Sequence, residues 1–329
     1  MAAKISVGSC VTVESRGLGM VEMDNENGTW NVAFEDGSEG DYPAEMLNLA
    51  PRQSLRLPLG TGRAVLCTLD NYSGLARLIV NPLESPKPVG WTRFVCFSDT
   101  HGLHELIPKQ HMPEADVLLH GGDFTNTGEL MQVQSFAAWL ASYPAKHKVV
   151  IAGNHDITFQ PAYYQENWSR FHPAPADCQE VRQALLGSGC CEYLEDTAVD
   201  VRGYRIYGSP WQPEFCQWAF NLPRGLECKK VWDKIPSEVD ILMTHGPPAG
   251  FNDTTSSGEN VGCSQLLEAI QSRSVKVSVA GHLHESYGVV GFGATLFVNA
   301  STCTRNYQPS HPPVVFDLPP PEDLRQPQP

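Results

Sequence analysis

Five short segments of this chain collect residue types that hold divalent metal ions. They are Asp99-Thr100-His101, Gly121-Gly122-Asp123, Gly153-Asn154-His155-Asp156, Thr244-His245-Gly246 and Gly281-His282-Leu283-His284. Each supplies Asp, Asn or His and none supplies Cys, so the donors are oxygen and imidazole nitrogen. Asp99 and His101 stand two apart, as do His282 and His284. In extended backbone such pairs project to the same side. The neighbouring glycines permit unusual φ and close approach of backbone to a ligand. Any one of these pieces is ordinary polar surface in most proteins. All five in this order, each closing an apolar run, point to one metal site along a sheet edge.

Other residues carry weaker signals. Arg224 (in NLPRG) and Arg305 (in TCTRNY) are candidates to contact a substrate phosphate, although a surface or structural arginine is the commoner case. Trp211, Phe215, Trp218 and Phe220 form an aromatic cluster that would line a base pocket or, more commonly, pack a loop. His104, His111, His120, His147, His172 and His311 fall outside the pattern and read as non-ligands. The chain holds no G-x-x-x-x-G-K-[ST], no G-x-S-x-G and no H-E-x-x-H, so P-loop NTPase, serine hydrolase and zincin chemistry find no support.

The elements that must position these residues begin at Trp91. The apolar runs RFVCFS, DVLLHG, KVVIAG, YRIYGS, VDILMTHG, VKVSVAGH, TLFVNAS and PVVFDL recur, with amphipathic stretches at 129–142 and 263–273. Continuous apolar strands alternating with helices predict buried sheets in an α/β layered fold. Residues 1–50 instead alternate β-rich runs (CVTVES, MVEMD, TWNVAFED) with turns at Asn25-Glu26-Asn27-Gly28 and Asp36-Gly37. That pattern predicts a small five-stranded β-barrel similar to SH3/Tudor modules. Such a barrel would bind a peptide or protein partner, or pack on the next domain. Residues 51–90 hold the run AVLCTL and the Pro-rich NPLESPKPVG, and are expected to be a linker with extended segments. The tail at 319–329 is expected to be disordered.

Composition narrows the function. Lys and Arg number 23 against 37 Asp and Glu, a net charge of −14 over 329 residues, which argues against a nucleic-acid polymer as partner. Gly and Pro, 28 and 26, mark a loop-rich chain. No apolar stretch approaches the ~18 residues of a membrane helix. The start, MAAKISVGSCVTVESRG, lacks the apolar core of a secretory signal, so a cytoplasmic protein with no membrane partner is expected. Ten cysteines without a C-x-x-C pair suit free thiols. The sequons at Asn27, Asn71, Asn167, Asn252 and Asn299 are expected to carry no glycan.

Together the five segments resemble the calcineurin-like metallophosphoesterase superfamily, whose pattern is D-x-H, G-D, G-N-H-[DE], a G/T-H segment and G-H-x-H. Every position is present, and the resemblance covers about residues 91–318. YGSPWQPEFCQWAFNLPRG, THGPPAGF and VNASTCTRNYQPSHPPVVFDLP look like the metallophosphoesterase-domain-containing proteins related to class III cyclic-nucleotide phosphodiesterases. The resemblance implies a four-layer sandwich of two mixed β-sheets flanked by helices. It implies two divalent metal ions, Mn or Fe, with Zn as an alternative. Asp99, His101 and His284 would hold the first and Asn154, His245 and His282 the second, with Asp123 bridging both. His155 would stand beside the phosphate as general acid, and Asp156 would orient it.

Two divalent ions against two aspartates leave positive charge for a bridging hydroxide and a phosphate anion. The implied activity is a metal-dependent phosphodiesterase that hydrolyses small phosphodiesters, cyclic nucleotides among them, by attack of that hydroxide. Two other readings stay open. One is a phosphomonoesterase or protein phosphatase on the same site. The other is a scaffold protein with a vestigial site and a partner bound through residues 1–50.

Overall fold

The computed structural model describes residues 73–324, apart from residues 80 and 83, and the strands that lie between residues 10 and 72. The first five strands are β1 (Cys10–Val13), β2 (Gly17–Asp24), β3 (Thr29–Phe34), β4 (Glu39–Pro43) and β5 (Leu47–Leu49). They form an antiparallel sheet in the order β4-β3-β2-β1-β5. The turns that would close this sheet into the expected barrel lie outside the described residues.

The strands that follow are β6 (Leu55–Leu59), β7 (Arg63–Tyr72), β8 (Arg77–Ile79), β9 (Thr92–Phe97), β10 (Ala115–His120), β11 (Ala145–Val150), β12 (Glu192–Tyr193), β13 (Thr197–Val201) and β14 (Tyr204–Ser209). After them come β15 (Gln212–Pro213), β16 (Asn221–Leu222), β17 (Ile241–Thr244), β18 (Val277–Ala280), β19 (Gly288–Gly293), β20 (Thr295–Asn299) and β21 (Val314–Leu318). The helices are α1 (Leu130–Ser142), α2 (Pro161–Asn167), α3 (Cys178–Leu186), α4 (Leu226–Trp232), α5 (Ser264–Ser272) and α6 (Pro321–Leu324). One sheet runs β12-β11-β10-β9-β21-β8 and the other β13-β14-β17-β18-β20-β19-β7-β6, with β15-β16 a separate pair. Both are mixed. β9 to β12 are parallel with β21 antiparallel beside them, and β14, β17, β18 and β20 are parallel, with β13 antiparallel to β14 and β19 antiparallel to β20.

The strand alternation explains the layering. On β9, Phe94 and Cys96 join the core between the sheets, where they meet Ile206, Met243, Val279 and Val298. Val95 and Phe97 point the other way, toward Phe136 and Leu140 of α1 and Leu185 of α3. Beyond the second sheet, Trp232 of α4 and Leu266 and Ile270 of α5 cover Tyr207, Leu242 and Phe297. The order is helix, sheet, sheet, helix. Strands covered on both faces must be apolar at every position, which is why they appear as unbroken runs. A bidentate ion pair ties β9 to β21, with Arg93 Nε 2.8 Å from Asp317 Oδ1 and Nη2 2.9 Å from Oδ2.

Residues 51–90 do not form the expected linker. β7 pairs in parallel with β19, with Cys67 opposite Val289, and β8 pairs with β21, with Ile79 opposite Val315. The AVLCTL run is therefore sheet, and among the described residues of this stretch the irregular backbone lies between β7 and β8 and in the Pro-rich segment before β9. The expected disordered tail also starts ordered. Tyr204 Oη donates to Pro319 O at 2.6 Å and α6 adds a turn of helix, while residues 325–329 lie outside the described residues. Among the described residues no helix is long and apolar enough to cross a membrane.

Candidate metal centre

The five segments follow the C-terminal ends of β9, β10, β11, β17 and β18, and their turns are bonded to one another. Asp99 N donates to Gly122 O, His101 N to Asp123 O and Gly281 N to His245 O, each at 2.9 Å. Asp99, His101, Asp123 and His282 sit at φ of 51°, 45°, 53° and 66°. This left-handed backbone is uncommon for non-glycine residues and costs of order 1–3 kcal/mol each. The D-x-H pair is thus not the extended strand expected from its spacing; two closely spaced kinks aim Asp99 and His101 inward instead. Glycine is required beside them. A methyl on Gly122, at φ 100°, would come within 2.7 Å of both His245 Nδ1 and Ala152 O. A methyl on Gly153 would overlap the Asp123 carboxylate.

All seven expected ligands converge. His101 Nε2 lies 3.1 Å from His284 Nε2 and 3.8 Å from Asp123 Oδ2, and Asp99 Oδ1 lies 3.4 Å from His284 Nε2. His245 Nε2 lies 2.9 Å from Asn154 Oδ1 and 3.4 Å from Asp123 Oδ2. Three sets of donor atoms each fall within 4.8 Å: Asp99 with His101 and His284, Asp123 with His245 and His282, and His101 with Asp123 and His155. Asp123 stands in two of the three, between the other groups. The Asp99 carboxylate is fixed by the His282 amide, 2.9 Å from each oxygen, and by Ser301 Oγ at 3.0 Å.

The donor chemistry fits a cation. His284 Nδ1–H donates to Thr304 O at 3.1 Å and His245 Nδ1–H donates to Gly121 O at 2.9 Å. Backbone carbonyls only accept, so these bonds assign the tautomer and turn each Nε2 toward the centre. Those nitrogens then face other nitrogen and oxygen donors, an arrangement that needs a proton or a metal ion between them. Burial pushes the Asp123 carboxyl up, but the charges of His245 and His155 outweigh it and hold it well below the usual carboxylate range. Burial likewise opposes ionisation of Asp99, yet the His284 hydrogen bond holds it low. Burial would lower His245; the Asp123 carboxylate reverses this and raises it to about 9. Burial takes His101 and His282 down to about 3, so both are neutral lone-pair donors. Without metal, the proton on His245 supplies the positive charge that two buried carboxylates demand.

One other sequence expectation is corrected. Asp156 does not orient His155. Its buried carboxylate accepts from Gly153 N at 2.8 Å, Thr125 N at 2.9 Å and Thr125 Oγ1 at 2.6 Å, and so ties the β11 turn to the β10 turn. The acceptor behind His155 is a backbone carbonyl, with Nδ1 2.8 Å from Asn126 O. Arg224 spends its guanidinium on Gly262 O and Val261 O, at 2.7 and 2.6 Å, and holds that loop. Arg305 Nη1 bonds Ser256 Oγ at 2.6 Å at the rim.

Aromatic residues pack directly against the centre. Trp218 stacks on the His155 ring with centroids 4.0 Å apart, Phe215 sets its edge on His282 at 5.2 Å, and Tyr307 meets His101 at 4.8 Å. Trp211 and Phe220 pack on each other instead. The signal available for Phe215 and Trp218 was two aromatics in an irregular, Pro-flanked segment; nothing local marks Tyr307. His120, beyond the donor cluster, bonds Thr100 Oγ1 at 3.1 Å.

Two mixed sheets between helices, with Asp, Asn and His gathered at their strand ends, define a metal-dependent phosphoester hydrolase. The Calcineurin-like phosphoesterase family pattern matches residues 92–286, and the chain belongs to that family. It is 49% identical over 254 residues to Metallophosphoesterase domain-containing protein 1 of Homo sapiens, covering 74% of this chain and 76% of that one. It is 37% identical over 256 residues to UPF0046 protein C25E10.12 of Caenorhabditis elegans, covering 75% and 89%. The crystal structure of TT1561 of Thermus thermophilus aligns with a TM-score of 0.42 at 14% identity, covering 64% of this chain and 88% of that one.

Proposed function

We propose that the protein is a phosphodiesterase for small phosphodiesters, with cyclic nucleotides as the substrate class. The observation that carries this reading is the placement of His155. Its Nδ1–H is tied to Asn126 O and its backbone N–H donates to Asp123 Oδ1 at 2.8 Å, so Nε2 is left free beside the centre. That is the position of a proton donor to an alkoxide leaving group, an effect typically worth ~10²–10⁴-fold. Two divalent ions, Mn²⁺ or Fe²⁺ in preference to Zn²⁺, would be held by Asp99, His101 and His284, by Asn154, His245 and His282, and by Asp123 between them; when bound they would supply Lewis acidity and activate water.

The residues around the centre support a diester over a monoester. A guanidinium fork would favour a monoester dianion, and Arg224 spends both its terminal nitrogens on backbone carbonyls. Phe215, 51% exposed, and Tyr307, 44% exposed, offer flat apolar faces at the rim that suit a nucleobase. The N-terminal sheet is free in this reading to engage a peptide or protein partner.

The test is turnover of bis-nitrophenyl phosphate, nitrophenyl phosphate and 2′,3′- and 3′,5′-cyclic nucleotides with added Mn²⁺, Fe²⁺ or Zn²⁺. Preference for diesters supports the proposal. Preference for the monoester replaces it with a phosphatase, and no turnover with any metal replaces it with the scaffold reading.

A further inference from the structure

We infer that Trp218 is the positioning residue for His155, and that the segment 214–220 is a pinned strap whose task is to press the indole onto that imidazole. The inference rests on the phosphoester-hydrolase reading above. His155 has one hydrogen bond to its ring, from Nδ1 to Asn126 O, which fixes a direction but allows the ring to pivot. The Trp218 indole removes that freedom by lying over the ring, centroids 4.0 Å apart and planes 27° from parallel, while His101 meets the ring edge at 4.7 Å. Phe171 backs the indole at 4.7 Å. His155 is thus held between a stacked face and a ligand edge, with Nε2 as its free atom.

The strap is built at a conformational cost. Cys216, Gln217 and Phe220 all adopt left-handed φ, at 52°, 54° and 54°. Residues so strained persist only where the surroundings hold them. Here Arg170 Nη1 and Tyr163 Oη both donate to Gln217 O at 2.7 Å, Glu214 Oε1 accepts from Gln217 N at 2.9 Å, and Gln160 Oε1 accepts from Phe220 N at 2.6 Å. Tyr163 and Arg170 come from α2 and the turn after it. Cys216 itself is exposed, so burial of the strap's tip does not explain its shape.

The experiment uses the full metal-loaded chain with Trp218→Ala, Trp218→Phe and Arg170→Ala, and His155→Ala as reference. Metal content should stay at wild-type level in all four. Trp218→Ala should lower kcat about 10- to 100-fold on a diester with an alkoxide leaving group, because a misplaced acid loses much of its effect. KM should change less than about threefold, and kcat on a nitrophenyl diester, whose leaving group needs no proton, should fall less than about threefold. Trp218→Phe should restore most of the rate, and Arg170→Ala should show the same leaving-group pattern at smaller size.

A second readout needs no turnover. In the protein loaded with diamagnetic Zn²⁺, the indole ring current should displace the carbon-bound ring-proton resonances of His155, identified by their absence in His155→Ala, and Trp218→Ala should remove the displacement. Equal rate losses on alkyl and nitrophenyl diesters, or a His155 resonance that Trp218→Ala does not move, would overturn the inference. A wild-type protein without phosphoester turnover would sink the hydrolase reading, while the resonance tests the stack in either case.

Discussion

At the scale of single residues, the centre is a balance of buried charges, and Asp123 stands at its middle. It accepts the His155 amide with one oxygen and faces His101 and His245 with the other. Asp123→Asn should abolish binding of both metal ions, read by elemental analysis. Activity should fall by more than the ~10–100-fold typical of a residue behind a ligand; full activity with two ions retained would refute its bridging place. The His245 proton makes metal loading depend on pH. Because that proton must leave before Nε2 can bind a metal, affinity should rise by about tenfold per pH unit up to about pH 9, with proton release visible in calorimetry. The metal-free protein should behave oppositely. Its folded state holds the His245 proton more tightly than the unfolded chain, so that stabilisation is complete below about pH 6.5 and is lost as pH rises through about 9. The ligands were legible because each short motif carries its own donors. The direction of the Asp156 carboxylate was not legible, because it depends on the β10 turn it ties, some thirty residues away in sequence.

At the scale of elements, parallel strands bring the ligand turns to one edge, and small steric and ionic details keep them there. Gly153→Ala would force a methyl against Asp123 and His245 with little room to yield. The variant should fold, lose metal, and lose activity by ~100-fold or more, since about 1 Å of misplacement carries such a cost. The Arg93–Asp317 pair works in another place, binding β9 to β21 with Asp317 fully buried. Asp317→Ala strands a buried guanidinium and should cost ~3–5 kcal/mol in denaturant unfolding, while leaving metal content intact in the folded fraction. β9, β10, β11, β14, β17, β18, β20 and β21 were readable as apolar runs because both their faces are covered, whereas β12, β13 and β19 carry no such run. β7 and β8 were not read as sheet, since their partners β19 and β21 lie far along the chain and pairing leaves no local mark.

At the scale of the whole molecule, the hydrolase unit begins well before its first ligand. Tyr72, Leu75, Ala76 and Leu78 pack into the core between the sheets. A chain starting at residue 51 should be soluble and metal-loaded, whereas one starting at residue 91 exposes the edges of β19 and β21 and should aggregate on size-exclusion chromatography. On the proposed reading, the net charge of −14 bears on long polyanions only, because metal ions at the centre would reverse the local sign for a small phosphoester. The parallel pairing of β7 with β19 also has a history in time. Cys67 leaves the ribosome about 220 residues ahead of Val289, which at ~5–20 residues per second is a wait of roughly 10–45 seconds. During that interval the β6–β7 hairpin has a bare edge and nothing to zip onto. All seven metal-ligand candidates, His284 the last of them, are therefore synthesised before the strand that completes this edge of the sheet.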